Sequence, residues 1–386
     1  MTHRTDRRQS KDMINRRDFL KKTGGVALGT AAALGAGFSS VAAESGSLTV
    51  NGLPAATLGR TGLKVTKISF GGMLISEPPV LLRVIDQGIN FIHTAPGYSN
   101  GRSMEAFGTA FKQNKGLRDK VVIALKERPE NLDHCLKVLG TDYVDVLVPG
   151  MHSLGAINDS SVPENFEKAK KAGKCGFMGY ACHKNMADIL NRSRELGYYD
   201  VTLLSYSNAR DSDFLAAAKA ANEAGIGIMA MKGLPKNISR AASGFDIQTA
   251  ASLCSAITGP QHAHTVLASM SSFQMVDSYR EVLETKLGYR DMMLEDHYWA
   301  AQVGSYCSMC AACTGVCPAA ENIPRILRYR MYYKDYGLND YARSKYARLD
   351  LKSNPLTERD IELCESVCKR RLPLRSMLDE ARSLLS

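Results

Sequence analysis

The sequence predicts an α/β protein in two parts, a (β/α)8 barrel followed by a small helical extension built around cysteines. Three observations predict this. From Val65 to about Glu284, short β-branched runs alternate eight times with amphipathic stretches of helical period, each pair closed by glycine or a turn cluster. Beyond them, Cys307, Cys310, Cys313, Cys317 and Pro318 follow the spacing C-x2-C-x2-C-x3-C-P. Ahead of them, Arg16 and Arg17 precede an uncharged Gly- and Ala-rich stretch from Thr23 to Ala43. The expected division is therefore 1–43 leader, 44–297 barrel and 298–386 extension.

The strand candidates are 65–70, 90–94, 120–125, 143–148, 175–180, 200–205, 227–231 and 264–268. Helix candidates include 79–87, 103–112, 163–172, 185–196, 212–224 and 273–284. Residues 44–64 read as a hairpin closing the barrel floor, with Gly59 and Gly62 at turns. Eight units in one chain favour a closed barrel over a doubly wound sheet, and either fold places chemistry at the C-terminal ends of the strands. Polar or reactive residues at those ends are His93, Tyr98, Lys126, His152, Cys182, His183, Tyr206, Asn208 and Lys232.

The cysteine spacing lets three thiolates reach three corners of one [4Fe-4S] cube, whereas tetrahedral zinc draws its ligands from two separated pairs. A second copy is broken: Cys364 and Cys368 keep its C-x3-C end, but Glu358 and Ile361 stand where its first two cysteines belong. One cluster is expected. Its fourth ligand is either Cys317 or, by the crossed pattern of two-cluster ferredoxins, Cys368. The second choice would pin the helix expected at 374–385 onto the cluster segment. Tyr329, Tyr332, Tyr333, Tyr336, Tyr341 and Tyr346 between the two motifs read as packing and surface residues.

The leader reads as a twin-arginine export signal, with a small-residue cleavage site at Val41, Ala42 and Ala43. That route exports folded proteins, which suits a cluster assembled before export, and it implies a periplasmic or other extracytoplasmic location. The formal net charge is +10, but residues 1–43 hold eight Lys or Arg and three Asp, so the remainder carries only +5. No basic stripe with interleaved aromatics argues for nucleic acid, and no long apolar run follows the leader.

Residues 58–65 (LGRTGLKV), 88–98 (GINFIHTAPGY) and 142–145 (DYVD), with Gly173, Lys174, Gly179, Ala230, Met231, Lys232, Thr265, Val266, Leu267 and Ser271, resemble the aldo-keto reductases, in particular those with a ferredoxin-like C-terminal extension. The resemblance implies hydride transfer between a nicotinamide, NADP(H), and a small carbonyl or alcohol. Tyr98 matches the family's proton donor and Lys126 the cation that tunes it. His93 stands in place of the aspartate that pairs with that lysine, and Gly150 in place of a histidine, with His152 two positions on. Either His152, swung in by the Pro149–Gly150 turn, or His93 then orients the substrate oxygen. Tyr206 and Asn208 are the implied nicotinamide contacts, although Leu203 replaces a glutamine. Ser269 and Ser271 are the implied phosphate contacts, since no cation stands between Ser269 and Met275. The expected function is an exported iron-sulfur oxidoreductase exchanging electrons with a periplasmic redox partner. The alternative is a catalytically degenerate barrel serving as an electron-transfer or binding module.

Overall fold

The structure, a computed structural model, describes residues 48–206, 211–232, 263–284, 306–353 and 355–386. The leader and Asn208 lie outside the described residues, and so does the boundary expected at 297/298.

Three short strands, β1 (Thr49–Val50), β2 (Leu53–Thr57) and β3 (Lys64–Thr66), form an antiparallel sheet. Eight more make a closed parallel barrel: β4 (Ile68–Gly71), β5 (Phe91–Thr94), β6 (Val122–Leu125), β7 (Val144–Leu147), β8 (Cys175–Cys182), β9 (Val201–Ser205), β10 (Gly227–Met231) and β11 (Thr265–Ala268). Each barrel strand pairs with its sequence neighbours, and β11 closes onto β4 through Val266, Leu267 and Ala268 against Ile68, Ser69 and Phe70. The strands read as near-continuous apolar runs because both faces are covered. Leu58, Phe91, Val122, Val146, Val201, Leu203 and Met229 fill the interior. Phe107, Phe166, Leu190 and Phe214 from the surrounding helices pack on the outside.

Two expectations change. The stretch from Val65 to Phe70 is two strands, because Lys67 switches sheets: its N–H donates to the Pro54 carbonyl (3.0 Å) and its carbonyl accepts from the Val266 N–H (2.9 Å). The helix Leu132–Leu139 has no counterpart among the sequence candidates, since two turns are too short for helical period to stand out. At the floor, Gly59 has φ +52°, and a Cβ there would lie 2.3 Å from the Gly227 nitrogen, so only glycine lets the two backbones meet.

Asp145 on β7 is 1% exposed and accepts from Arg118 and from the Ile123 N–H, each at 2.9 Å. Arg118 in turn lies 4.0 Å over the Tyr143 ring. This buried pair ties β6, β7 and the turn before β6 together, which gives the DYVD segment a structural role.

The tail comprises helices Ala312–Val316, Ile323–Tyr336, Asn339–Tyr346, Glu358–Ser366 and Leu374–Leu385. Its own core includes Ile326, Leu327, Leu378 and Leu385. Glu380 pairs with Arg330 and Lys334 across two of these helices. The tail is docked on the barrel: the Asn185 N–H donates to the Met309 carbonyl (3.1 Å), Lys369 pairs with Asp213 (2.9 Å) and Arg370 with Asp211 (3.6 Å). Among the described residues, no helix is long and apolar enough to cross a membrane.

Candidate active site at the barrel mouth

The β5 end places the first group. The Thr94 hydroxyl bonds Ser103 (2.9 Å), whose hydroxyl reaches the Gly72 carbonyl (2.7 Å), and the Thr94 carbonyl accepts from the Lys126 N–H (2.9 Å). His93 and Lys126 are thereby set on adjacent strand ends. Tyr98 follows on a turn whose next two residues, Ser99 and Asn100, hold left-handed backbone at φ 48° and 55°. Such strain concentrates where a side chain must be aimed. The His93 and Tyr98 rings meet edge to face at 5.6 Å.

His93, Tyr98 and Lys126 line one cavity with His183, Lys232 and Ser269. The other wall comes from the tail, as Tyr332, Tyr336 and Tyr341. The sequence reads those tyrosines as packing and surface residues, whereas three of them line the cavity. The overlooked signal is that Tyr332 and Tyr336 stand four apart and share one helix face.

Burial, and then the neighbouring Tyr332 and Tyr341, raise the Tyr98 phenol above its ordinary range, so it keeps its proton at neutral pH. The lowering expected beside Lys126 is not what the site shows, because desolvation disfavours the phenolate. Burial and then Arg328 push Lys126 down to about 8. Burial and then Lys126 push His93 down to about 3, which leaves it neutral. A protonated phenol beside a cation and a neutral imidazole can donate a proton to an oxygen and support the resulting charge.

Of the two histidines considered, His93 faces this cavity. His152 lies in an adjoining pocket with Arg325 and Arg328, and His183 lines both. The His152 ring occupies the space in front of Gly150, with Nε2 3.3 Å from where a Cβ on residue 150 would sit. Its Nδ1 accepts from the His183 N–H at 3.3 Å.

The cofactor expectations fare unevenly. Tyr206 is fully buried, edge to face with Phe214 at 5.3 Å, and is absent from the cavity wall, so it offers no stacking face there. The aromatic and aliphatic shell between strand and helix has drawn it inward. Leu203 points into the barrel interior. Ser269 lines the cavity, whereas the exposed Ser271 hydroxyl donates to the Met275 sulfur (3.5 Å).

In the tail, Cys307, Cys310, Cys313, Cys364 and Cys368 line a second cavity. Burial and then the thiols of Cys313, Cys310 and Cys368 push Cys307 up to about 12. The Cys307 sulfur accepts from the Met309 N–H (3.3 Å) and the Cys368 sulfur from the Leu372 N–H (3.5 Å). Met309, Ala311 and Arg371 all adopt positive φ around it. Cys317 turns away and donates to Asp360 (3.2 Å). Among the described residues, no three His, Cys, Asp or Glu converge on a single metal ion.

Residues 76–248 match the profile of the Aldo/keto reductase family. The chain is 33% identical to a rice (Oryza sativa subsp. japonica) protein named probable voltage-gated potassium channel subunit beta, over 23% of this chain and 35% of that one. It is 31% identical to aldo-keto reductase YhdN of Bacillus subtilis, over 22% and 34%. The chain thus spans about a third of the length of these relatives. The fold is similar to aldo-keto reductase AKR11C1 from Bacillus halodurans in its holo form (TM-score 0.53, 18% identity, 64% of this chain and 96% of that one). It is also similar to an aldo-keto reductase from Klebsiella pneumoniae solved with NADPH (TM-score 0.52, 21% identity, 64% and 95%). The profile match spans β5 to β10, so residues 76–248 of the closed eight-stranded barrel are similar to the Aldo/keto reductase family.

Proposed function

We propose that the protein is an exported iron-sulfur oxidoreductase of aldo-keto reductase type. Its barrel reduces or oxidises a small carbonyl or alcohol, and its ferredoxin-like tail exchanges electrons with a periplasmic redox partner. The observation that carries this reading is the shared wall: barrel residues Tyr98, Lys126 and His93 and tail residues Tyr332, Tyr336 and Tyr341 line one cavity. A tail that merely stapled the C-terminus would have no reason to furnish the reaction chamber. Tyr98 gives or takes the proton at the substrate oxygen, Lys126 supports the phenolate, and the tail tyrosines exclude water.

In this reading the cysteine-lined tail cavity holds a [4Fe-4S] cluster. Cys307, Cys310, Cys313 and Cys368 line this one cavity, and Cys310 and Cys368 weigh on both Cys307 and Cys313. Ligands of a single zinc ion each stand about 2.3 Å from it, whereas those of a cube sit on separate corners. Cys317 is engaged by Asp360, and Cys364 has Cys313 and Cys317 for neighbours, so Cys368 is the fourth ligand in this reading. A bound cluster supplies one-electron exchange. A hydride step needs a two-electron carrier, for which we take NADP(H). Ser269 would contact it, whereas the buried Tyr206 does not fit that role. Export rests on Arg16 and Arg17 and on the apolar stretch behind them.

The test is a titration of anaerobically purified, iron-loaded protein with NADPH, followed by turnover of small aldehydes by wild type and Tyr98→Phe. Micromolar binding is expected, with turnover lowered about 10²- to 10⁴-fold in the variant. No binding and no co-purified nucleotide would overturn the reductase reading in favour of an electron-transfer or binding module.

A further inference from the structure

Beside the reaction cavity, and sharing His183 with it, a cavity of about 280 Å³ opens between the loops that follow β7 and β8 and the tail helix Ile323–Tyr336. Its volume suits a polyatomic ion rather than a single water. The barrel contributes His152, His183 and Lys184, and the tail contributes Glu321, Arg325 and Arg328. His183 is 7% exposed, and its Nδ1 is buried without a hydrogen-bond partner among the described residues. The same holds for the Arg328 Nε. Buried polar atoms are nearly always bonded, so two of them on facing walls point to a ligand that supplies the bonds.

His152 adds a donor of known polarity. Its Nδ1 accepts from the His183 N–H (3.3 Å), and burial, then Lys126 and Arg328, push it down to about 3, so the neutral ring carries its proton on Nε2. Lys184 and Arg325 share one carboxylate, Glu321, which is 61% exposed and 3.8 Å from each, a pairing that solvent screens. Three cations and two neutral imidazoles thus face one another across the seam between barrel and tail. We propose that this cavity is a second ligand site, for a phosphate group, with Arg328 as its principal contact and His152 and His183 as neutral partners. The donors come from opposite walls, and a phosphate presents oxygens on every side, whereas a carboxylate presents two in one plane. A phosphate also holds an O–H near neutral pH, which serves the His183 nitrogen in either tautomer. The site goes beyond the oxidoreductase reading and does not depend on it. Its ligand clamps the tail to the barrel.

The phosphate is either free or the end of a phosphomonoester, and the test separates the two. Iron-loaded protein is titrated calorimetrically, in chloride buffer of constant ionic strength, with inorganic phosphate, with glycerol 3-phosphate and with acetate, and again with phosphate in the presence of saturating NADPH. Saturable phosphate binding with a Kd of about 1 mM or tighter is expected, with acetate at least about tenfold weaker. Arg328→Gln should weaken phosphate at least about tenfold, whereas Arg348→Gln, which removes an exposed cation outside the cavity, should leave it unchanged. Phosphate should also slow limited proteolysis of the wild-type tail, which reads the clamp without a variant. Glycerol 3-phosphate binding tighter than phosphate supports the site with a phosphomonoester as its ligand, and equal affinities support it with free phosphate. Acetate binding as tightly as phosphate, or no saturable phosphate binding by wild type, overturns the proposal. Competition by NADPH overturns it in favour of a dinucleotide phosphate, and an equal loss in both variants overturns it in favour of net charge. Phosphate binding without NADPH binding would instead sink the reductase reading alone.

Discussion

The barrel buries apolar side chains in two layers, Phe91, Val146 and Leu203 inside the strands and Phe107, Phe166 and Phe214 outside them, while the tail closes one small cluster around Ile326, Leu378 and Leu385. Among the described residues, the one buried carboxylate on a barrel strand, Asp145, is matched by Arg118, whereas the tail gathers thiols that repel one another once ionised. A core of the barrel's size sustains itself by burial, but a chain segment of the tail's size often needs a metal or a crosslink to stay folded. The difference teaches that the two halves should respond to opposite insults.

On the proposal that the tail holds a cluster, the largest effect is expected from removing iron. Chelation, or Cys368→Ala, should strip hydrogen-exchange protection from the helices of residues 306–386 and leave the barrel strands protected, since metal affinity in such sites is folding free energy. Cys317→Ala should keep iron content and its visible absorbance near wild type. Iron lost in Cys317→Ala and kept in Cys368→Ala would reverse the ligand assignment. The matching insult to the barrel is Asp145→Ala, which leaves Arg118 buried and unpaired. It should cost about 3–5 kcal/mol in chemical denaturation with iron content unchanged. Equal loss of iron would mean that the halves fold as one unit.

The same contrast governs what was legible in the sequence. The barrel announced itself through eight repeats of apolar period, and strand ends at His93, Tyr98 and Lys126 were placed on that basis, because period and turn residues are local signals. The cysteine spacing was local as well, but the choice between Cys317 and Cys368 depended on where the helix Glu358–Ser366 returns, which spacing does not encode. Tyr206 looked like a stacking platform because its strand position matched, yet Phe214, eight residues on, takes its ring into the shell. The tail tyrosines were hidden for a related reason. For Tyr332, its partners Tyr98 and Lys232 lie 234 and 100 residues away, and only the docked fold brings them together.

A smaller effect separates the mouth from the rest by pH. His93 and His152 are held down to about 3 against an ordinary 6.5, chiefly by burial. Between those values the unfolded chain binds protons that the folded chain refuses, so their contribution to stability is present above about pH 6.5 and is lost as the pH falls toward 3. The melting midpoint of wild type should therefore fall between pH 7 and pH 5, and less steeply in His93→Gln. An equal slope in the variant would mean that His93 is hydrated and already free to charge.

The smallest expected effect lies at the seam between the two regions, where two neighbouring cations face two acids of one helix start. Lys369 reaches Asp213 at 2.9 Å, but the side chains are 51% and 69% exposed. Solvent screens such a pair, and Lys369→Ala should change stability by no more than about 1 kcal/mol. Arg370 is 3.6 Å from Asp211 with 9% of its side chain exposed, and its guanidinium lies 5.5 Å over the Tyr306 ring. Its removal takes away packing as well as charge and leaves Asp211 facing a hole, so Arg370→Ala should loosen the tail by about 1–3 kcal/mol. Limited proteolysis of the seam reads the difference directly. If the two variants open the tail equally, docking is governed by net charge, and raising the salt concentration should then release the tail from wild type as well. If only Arg370→Ala opens it, one buried cation registers the tail on the barrel mouth, and through the helix Ile323–Tyr336 that contact also sets Tyr332 and Arg328 against the site.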